Sequence, residues 1–218
     1  ADGFGFGPGT ASVTLLIEDP GGESRERHLE VRTAPTPEGP RFTVRVTAPA
    51  EVAGQAYLFV SAAAGDQAWV YLPALDDAPR RVNGAQLNGS FLGSHLAFAD
   101  LLLEPLRLAT PVSVSSDKVG ATDAWLLNLT YRSGPAAGAR VWLRKSDALP
   151  VRLELIDDDE QLIRSWQVEQ TESSAGRDVV RRYTIRPARG GATIVVVDKR
   201  TPTPVPDAAS LTPASLVN

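Results

Sequence analysis

Hydrophobic and polar positions alternate with period two along most of this chain, the signature of half-buried β-strands. Residues 13–18 are the first such run, with Pro20-Gly21-Gly22 as its turn. Residues 25–32 set Leu29 and Val31 against His28 and Glu30, a strand with one wet face. Residues 33–40 read as a proline-rich connection, after which Phe42-Thr43-Val44-Arg45-Val46 resumes the alternation. Strands at 55–61 and 67–72 follow, joined by a small-residue turn around Ala63, Gly65 and Asp66. In the second half, Trp125, Leu127, Leu129 and Tyr131 share one face, with Asn128 and Thr130 on the other. A turn at 134–138 leads into residues 140–144, and Val151, Leu153 and Leu155 then oppose Arg152 and Glu154. Leu162, Arg164, Trp166 and Val168 form the next strand, and 179–186 and 192–199 complete the series across Gly190-Gly191. Residues 112–114 fit a short strand or a loop equally well. The glycine-rich residues 1–9 read as a flexible lead-in, and 201–218, with four prolines, as an extended strap. The pattern predicts a mainly β, single domain over 1–218: one large, highly curved antiparallel sheet with little helix.

The stretch 69–103 breaks the rhythm. It opens as a strand, Trp69-Val70-Tyr71-Leu72, and Pro73 stops it because proline has no N–H for a ladder. The basic segment Arg80-Arg81-Val82 follows, then a turn-rich run through Asn83-Gly84 and Asn88-Gly89-Ser90. Phe91 and Leu92 sit between Gly89 and Gly93, an apolar pair on a pliable loop, and a helix-like segment runs from about Leu96 towards Leu103. Strand, basic stretch, apolar loop and short helix together describe the mouth of a pocket.

Composition narrows the chemistry. The 218 residues, 43% hydrophobic and 22% charged, are enough for a substantial core and ordinary for a globular protein. A net charge of −4 argues against nucleic acid as a partner, since phosphate contacts need clustered Lys and Arg. With no cysteine, thiolate metal sites, disulfides and Cys nucleophiles are excluded. The sequence begins at Ala1 and has no Met, so a processed or trimmed product is expected, and no run is long and apolar enough to span a bilayer as a helix.

The remaining candidates have modest readings. Asp157-Asp158-Asp159-Glu160 lacks the glycine and ligand spacing of a calcium loop and lies between two strands, so it reads as a solvated hairpin turn. His28 and His95 fall in different elements with no evident acidic partner, and neither Ser90 nor Ser94 has the flanking glycines of a nucleophile elbow. No catalytic residue, metal or cofactor is expected. Arg80 and Arg81 are either two solvated charges on a sheet face or a cavity rim, where paired guanidinium donors hold a carbonyl or an anionic head group. Phe91 and Leu92 either plug a core or gate a pocket. The four tryptophans are core by default, although the concave face of a highly curved sheet can be core and ligand wall at once.

Trp69, Tyr71, Leu72, Pro73, Ala74 and Leu75, then Arg80-Arg81-Val82, Gly89-Ser90-Phe91-Leu92-Gly93-Ser94, and Phe98, Asp100 and Leu101 carry a resemblance. In that order they are similar to the outer-membrane lipoprotein-sorting protein family, LolA-like relatives of the periplasmic lipoprotein carrier of Gram-negative bacteria. His95 stands where the family usually has an acidic residue and Ala99 where it usually has Glu, so negative charge is missing near the helix start. The family also places a helix ahead of its first strand, where this chain has residues 1–9. The resemblance implies an incomplete β-barrel with a short helical lid over an apolar concave face. It further implies a non-enzymatic periplasmic carrier of lipoprotein or lipid acyl chains, with an inner-membrane transporter as donor and an outer-membrane acceptor. Trp69, Tyr71, Leu72, Arg80, Arg81, Phe91, Leu92, Phe98 and Leu101 would then form lid and cavity rim. The competing expectation is an envelope scaffold or interaction module whose core is filled by its own side chains.

Overall fold

Alternation becomes strand nearly everywhere it is predicted. The computed structural model describes residues 6–62, 65–102, 109–131, 136–174 and 176–217. Among these, the first half holds β1 (Gly9–Glu18), β2 (Ser24–Thr36), β3 (Gly39–Ala48), β4 (Ala56–Val60), β5 (Gln67–Tyr71) and β6 (Arg80–Val82). The single α-helix among the described residues, α1 (Phe98–Leu102), follows. Then come β7 (Thr110–Val119), β8 (Thr122–Thr130), β9 (Gly138–Arg144), β10 (Pro150–Ile156), β11 (Leu162–Ser174), β12 (Arg177–Pro187) and β13 (Ala192–Thr201). They form one antiparallel sheet in the order β6-β5-β4-β3-β2-β1-β13-β12-β11-β10-β9-β8-β7, left open with β6 and β7 as its edges. Two meanders therefore meet where β1 pairs with β13. The expected mainly β class with minor helix is the one observed.

Local chemistry explains the turns. Asp157 caps the β10–β11 hairpin, its Oδ1 accepting from the N–H groups of Asp159 (3.0 Å) and Gln161 (2.8 Å). The acidic run is a solvated turn, as its sequence predicts. Residues 33–40 correct the reading of a proline-rich connection: β2 continues to Thr36, and Pro37-Glu38 turn directly into β3. Pro35 and Pro40 lie opposite one another in register, one step beyond the Thr36–Gly39 pair that closes the turn. In an antiparallel ladder that step points N–H groups away from the partner strand, so neither proline costs the hairpin a bond. Residues 112–114 fall inside β7, which settles them as strand. Residues 1–5 of the lead-in, Ala63, Leu103 and residues 134–135 of the expected turn lie outside the described residues. Phe6 is docked: its ring meets Phe42 edge-on at 6.3 Å, and Arg200 donates to its carbonyl at 2.6 Å.

Two compact units divide the chain. The described residues of 17–24 and 105–195 make one. In it Ala124, Trp142 and Val151 pack with Val119 and Leu126, while Leu153, Trp166 and Ile185, in register across β10–β12, are buried. Trp125 corrects its expected inward place. Its strand face is as predicted, but the ring is 44% exposed with the Lys145 ammonium 4.4 Å above it, while its neighbour Ala124 is fully buried.

The other unit holds the described residues of 5–16, 25–104 and 196–218. Here the proline-rich tail packs down through two short 3-10 turns, Ala208–Ser210 and Pro213–Leu216. Leu211 and Leu216, each 1% exposed, join Ala34, Ala56, Leu58 and Val60 in a cluster that Trp69 and Tyr71 flank. Arg41 donates to the carbonyl of Ala208 (3.0 Å) and Arg45 to that of Leu216 (3.0 Å), so strand arginines satisfy the tail's exposed acceptors.

Candidate functional site

Register across β3–β6 sorts the central stretch onto two faces. Val44, Tyr57, Val70 and Arg80 are successive partners and share one side. Leu58, Trp69 and Arg81 share the other, the side that the tail covers. On the first side four rings interlock: Phe91 lies 4.8 Å from Tyr57, 6.0 Å from Phe59 and 5.6 Å from Phe98, each edge-on. Such centroid distances fall within the favourable range for aromatic pairs. Burial pushes the Tyr57 phenol well above its usual range, and its hydroxyl donates to Gln55 Oε1 at 2.9 Å.

The segment after β6 arches over this side. Asn83 starts the 3-10 turn Gly84–Asn88, with Gln86 Oε1 accepting from the Asn83 N–H at 3.1 Å. Leu92 adopts φ 55 and Gly93 φ 70, a left-handed pair that reverses the chain. Phe91 N–H donates to the Leu96 carbonyl at 2.7 Å, Ser90 Oγ to the Ser94 carbonyl at 2.5 Å, and Leu96 N–H to Ser94 Oγ at 3.1 Å. The expected pliable loop is thus a hydrogen-bonded knot with Phe91 turned inward, and both serine hydroxyls are engaged in it. Asp100 supplies the cap that His95 and Ala99 lack, its Oδ2 accepting from the Ala97 N–H at 2.7 Å.

Between strands and knot lies a cavity of about 250 Å³. Tyr57, Val70, Leu72, Val82, Leu92 and Phe98 give it apolar walls, and Arg80, Gln86 and Ser90 make its polar rim; Arg81 borders it from the edge strand, but its guanidinium is turned to the Trp69 face. Arg80 Nε pairs with Asp76 Oδ1 at 2.9 Å. The Arg81 guanidinium lies 5.9 Å from the centre of the Trp69 ring. Five of the nine residues expected at a lid and rim, Leu72, Arg80, Arg81, Leu92 and Phe98, line this cavity. Phe91 sits behind it in the ring cluster, and Leu101 is half-buried on α1, away from the lining. Trp69 and Tyr71 pack beneath the tail. Tyr57 enters the lining through strand register rather than proximity in sequence, while Val70 and Val82 lie within the central stretch, on the face opposite Trp69 and Arg81.

Other candidate chemistry is dispersed. His28, read as lacking an acidic partner, has one: Nε2 lies 2.8 Å from Glu26 Oε1 and Nδ1 3.2 Å from Thr14 Oγ1, which itself donates to Asp198 Oδ2 at 2.7 Å. The three strands β1, β2 and β13 supply these groups. Among the described residues no cluster of His, Asp and Glu is arranged to hold a metal.

Comparison with known proteins now bears on this geometry. A family model described as "Uncharacterized protein" matches residues 39–216. The chain belongs to that family. No curated protein matches it. Solved structures share its fold. A Vibrio parahaemolyticus domain, assigned as an outer membrane lipoprotein-sorting protein, superposes with a TM-score of 0.90 at 19% identity, over 99% of this chain and 94% of that one. A DUF1329 family protein from Desulfovibrio piger gives 0.86 at 21% identity, over 95% and 90%. A LolA superfamily protein from Nitrosomonas europaea gives 0.74 at 20% identity, over 96% and 92%. The chain shares the fold of these three structures, the fold that the resemblance carried by the residues between Trp69 and Leu101 implies.

Proposed function

We propose that this protein is a non-enzymatic carrier that takes the acyl chains of a lipoprotein or lipid into the cavity beside β4–β6 and moves them through the periplasm towards the outer membrane. The observation that carries the reading is the cavity itself, with apolar walls and a rim holding Arg80, Gln86 and Ser90. Its volume of about 250 Å³ lies below the roughly 300–1,000 Å³ of ordinary ligand pockets. It therefore takes a head group and the first methylenes, and a longer chain enters by displacing the ring cluster around Phe91. Each methylene that leaves water contributes about 0.8 kcal/mol, so affinity needs no catalytic group. Handover from an inner-membrane transporter to an outer-membrane acceptor fits a ligand held this way.

Native mass spectrometry of protein purified from a Gram-negative periplasm, followed by organic extraction, tests the proposal. A retained mass that extracts as an acylated species supports it. Bare protein that also fails to bind a fluorescent fatty-acid probe would sink it. One observation favours a second reading, an envelope interaction module with a filled core: Phe91 is 2% exposed and packs against three rings in the resting structure. The bare-protein result would select that reading.

A further inference from the structure

The charges at the mouth of the cavity cancel. Arg80 faces it and Arg81 faces the Trp69 side, while Asp76, 12% exposed at its side chain, holds Arg80 Nε at 2.9 Å. An anion entering here sheds water and meets no surplus positive charge in exchange. What the rim offers instead is hydrogen-bonding atoms of both kinds. Gln86 Oε1 is taken by the Asn83 N–H, so its amide hydrogens are what it presents, and no acceptor among the described residues engages them. Ser90 is the converse. Its hydroxyl proton goes to the Ser94 carbonyl, which leaves Oγ with lone pairs alone, and no donor among the described residues reaches them. The Gly89 N–H donates to the Gln86 carbonyl at 2.9 Å, so this donor and this acceptor stand one turn apart on the same rim.

We infer that this rim selects an acyl chain with an uncharged head that donates a hydrogen bond as well as accepting one, a carboxamide or a hydroxyl-bearing glyceride, over a plain ester and over a carboxylate; the inference rests on the carrier reading. The carbonyl common to the uncharged heads accepts from Gln86 or from the terminal nitrogens of Arg80. Only a head with an N–H or O–H of its own also satisfies Ser90 Oγ. A plain ester seated at the rim covers that oxygen and puts no donor in place of the water it displaces, which costs it about one hydrogen bond relative to the amide.

The test uses the full chain and a set of probes matched in chain length: N-methyldecanamide, monodecanoylglycerol, methyl decanoate and decanoate. Each is titrated below its solubility limit against a bound fluorescent fatty-acid probe. At least one of the first two is expected to bind about fivefold more tightly than methyl decanoate, the size of one neutral hydrogen bond, and decanoate no more tightly than the ester. Whether the amide or the glyceride shows the gap identifies N–H or O–H as the donor. Ser90→Ala should close the gap, because the acceptor is gone. The gap is a ratio taken within each variant, so a general loosening of the knot in Ser90→Ala cancels. Gln86→Met should weaken amide and ester alike and keep their ratio, a split that a merely structural pair of residues would not give. Equal affinity for the three uncharged probes, a gap that survives in Ser90→Ala, or decanoate binding more tightly than all of them overturns this inference and leaves the carrier intact. A chain that binds neither the fluorescent probe nor any of the set overturns the carrier reading itself.

Discussion

Phe91→Ala is the perturbation on which the packing argument can be tested most sharply. The side chain is 2% exposed and meets Tyr57, Phe98 and Phe59 edge-on at 4.8, 5.6 and 6.0 Å. Truncating a buried phenyl costs about 3–5 kcal/mol, and three ring contacts within the favourable range place this one near ~4 kcal/mol. Phe91→Leu keeps most of the buried carbon and loses only the ring geometry, so about 1–2 kcal/mol is expected. Urea unfolding followed by tryptophan fluorescence separates the two. The carrier reading adds a second expectation. Because Leu92 and Phe98 line the cavity on either side of this ring in sequence, the void left by alanine should open into it. Dodecanoate at a hundred times its dissociation constant would then restore about 2.7 kcal/mol. A loss below about 1 kcal/mol in Phe91→Ala would refute the claim that the ring cluster holds the knot. A full loss that saturating ligand does not restore would show that the void is sealed from the cavity. Phe91→Asp, tempting for a residue read as a gate, tests nothing about uptake, because it buries a carboxylate without a partner.

Two further outcomes follow from other parts of the molecule. Leu216→Ala should lower the unfolding free energy by about 2–5 kcal/mol, because the side chain is 1% exposed in the cluster that Trp69 flanks, and Trp69 emission should shift to the red as the tail loosens. Burial opposes ionisation of Glu169, but bonds from the Thr184 hydroxyl and Arg182 Nε (2.7 Å) outweigh it and hold the carboxyl below its ordinary range. A depressed folded value means that Glu169 stabilises the fold above the unfolded pKa of about 4.3. That contribution is lost as pH falls through the folded value, so Glu169→Gln should flatten the acid limb of a stability–pH curve and leave less to lose below pH ~4.

Much of the sheet was legible because alternation and turn residues act over a few positions. Leu29 and Val31 alternate inward in β2, and Asp157 announces its hairpin by the local bonds that a carboxylate can make. The prolines of 33–40 misled because proline's effect depends on which way its missing N–H would point, a property of pairing rather than composition. Site residues divide the same way. Arg80, Leu92 and Phe98 sit in one stretch and could be read together, whereas Tyr57, outside it, reaches Arg80 only through register across Val70. Period two correctly kept Trp69 and Tyr71 together but could not tell cavity from tail, since Leu211 and Leu216, which cover that side, lie far downstream.

The junction of β1 with β13 sets a timetable for the chain. The hairpins from β1 to β6 can pair as soon as their residues exist, each from near neighbours. The outer flank of β1 must wait until residues 192–201 have been made, and the hydrophobic patch around Leu58 waits longer still for Leu211 and Leu216. Until then an emerging chain presents an unpaired strand flank and bare apolar surface, the condition under which β-rich intermediates cling to one another. Closing the longest loop last also makes the final step slow, so a helper that masks β1 and the Leu58 patch during that interval would raise the yield of native protein without altering its stability.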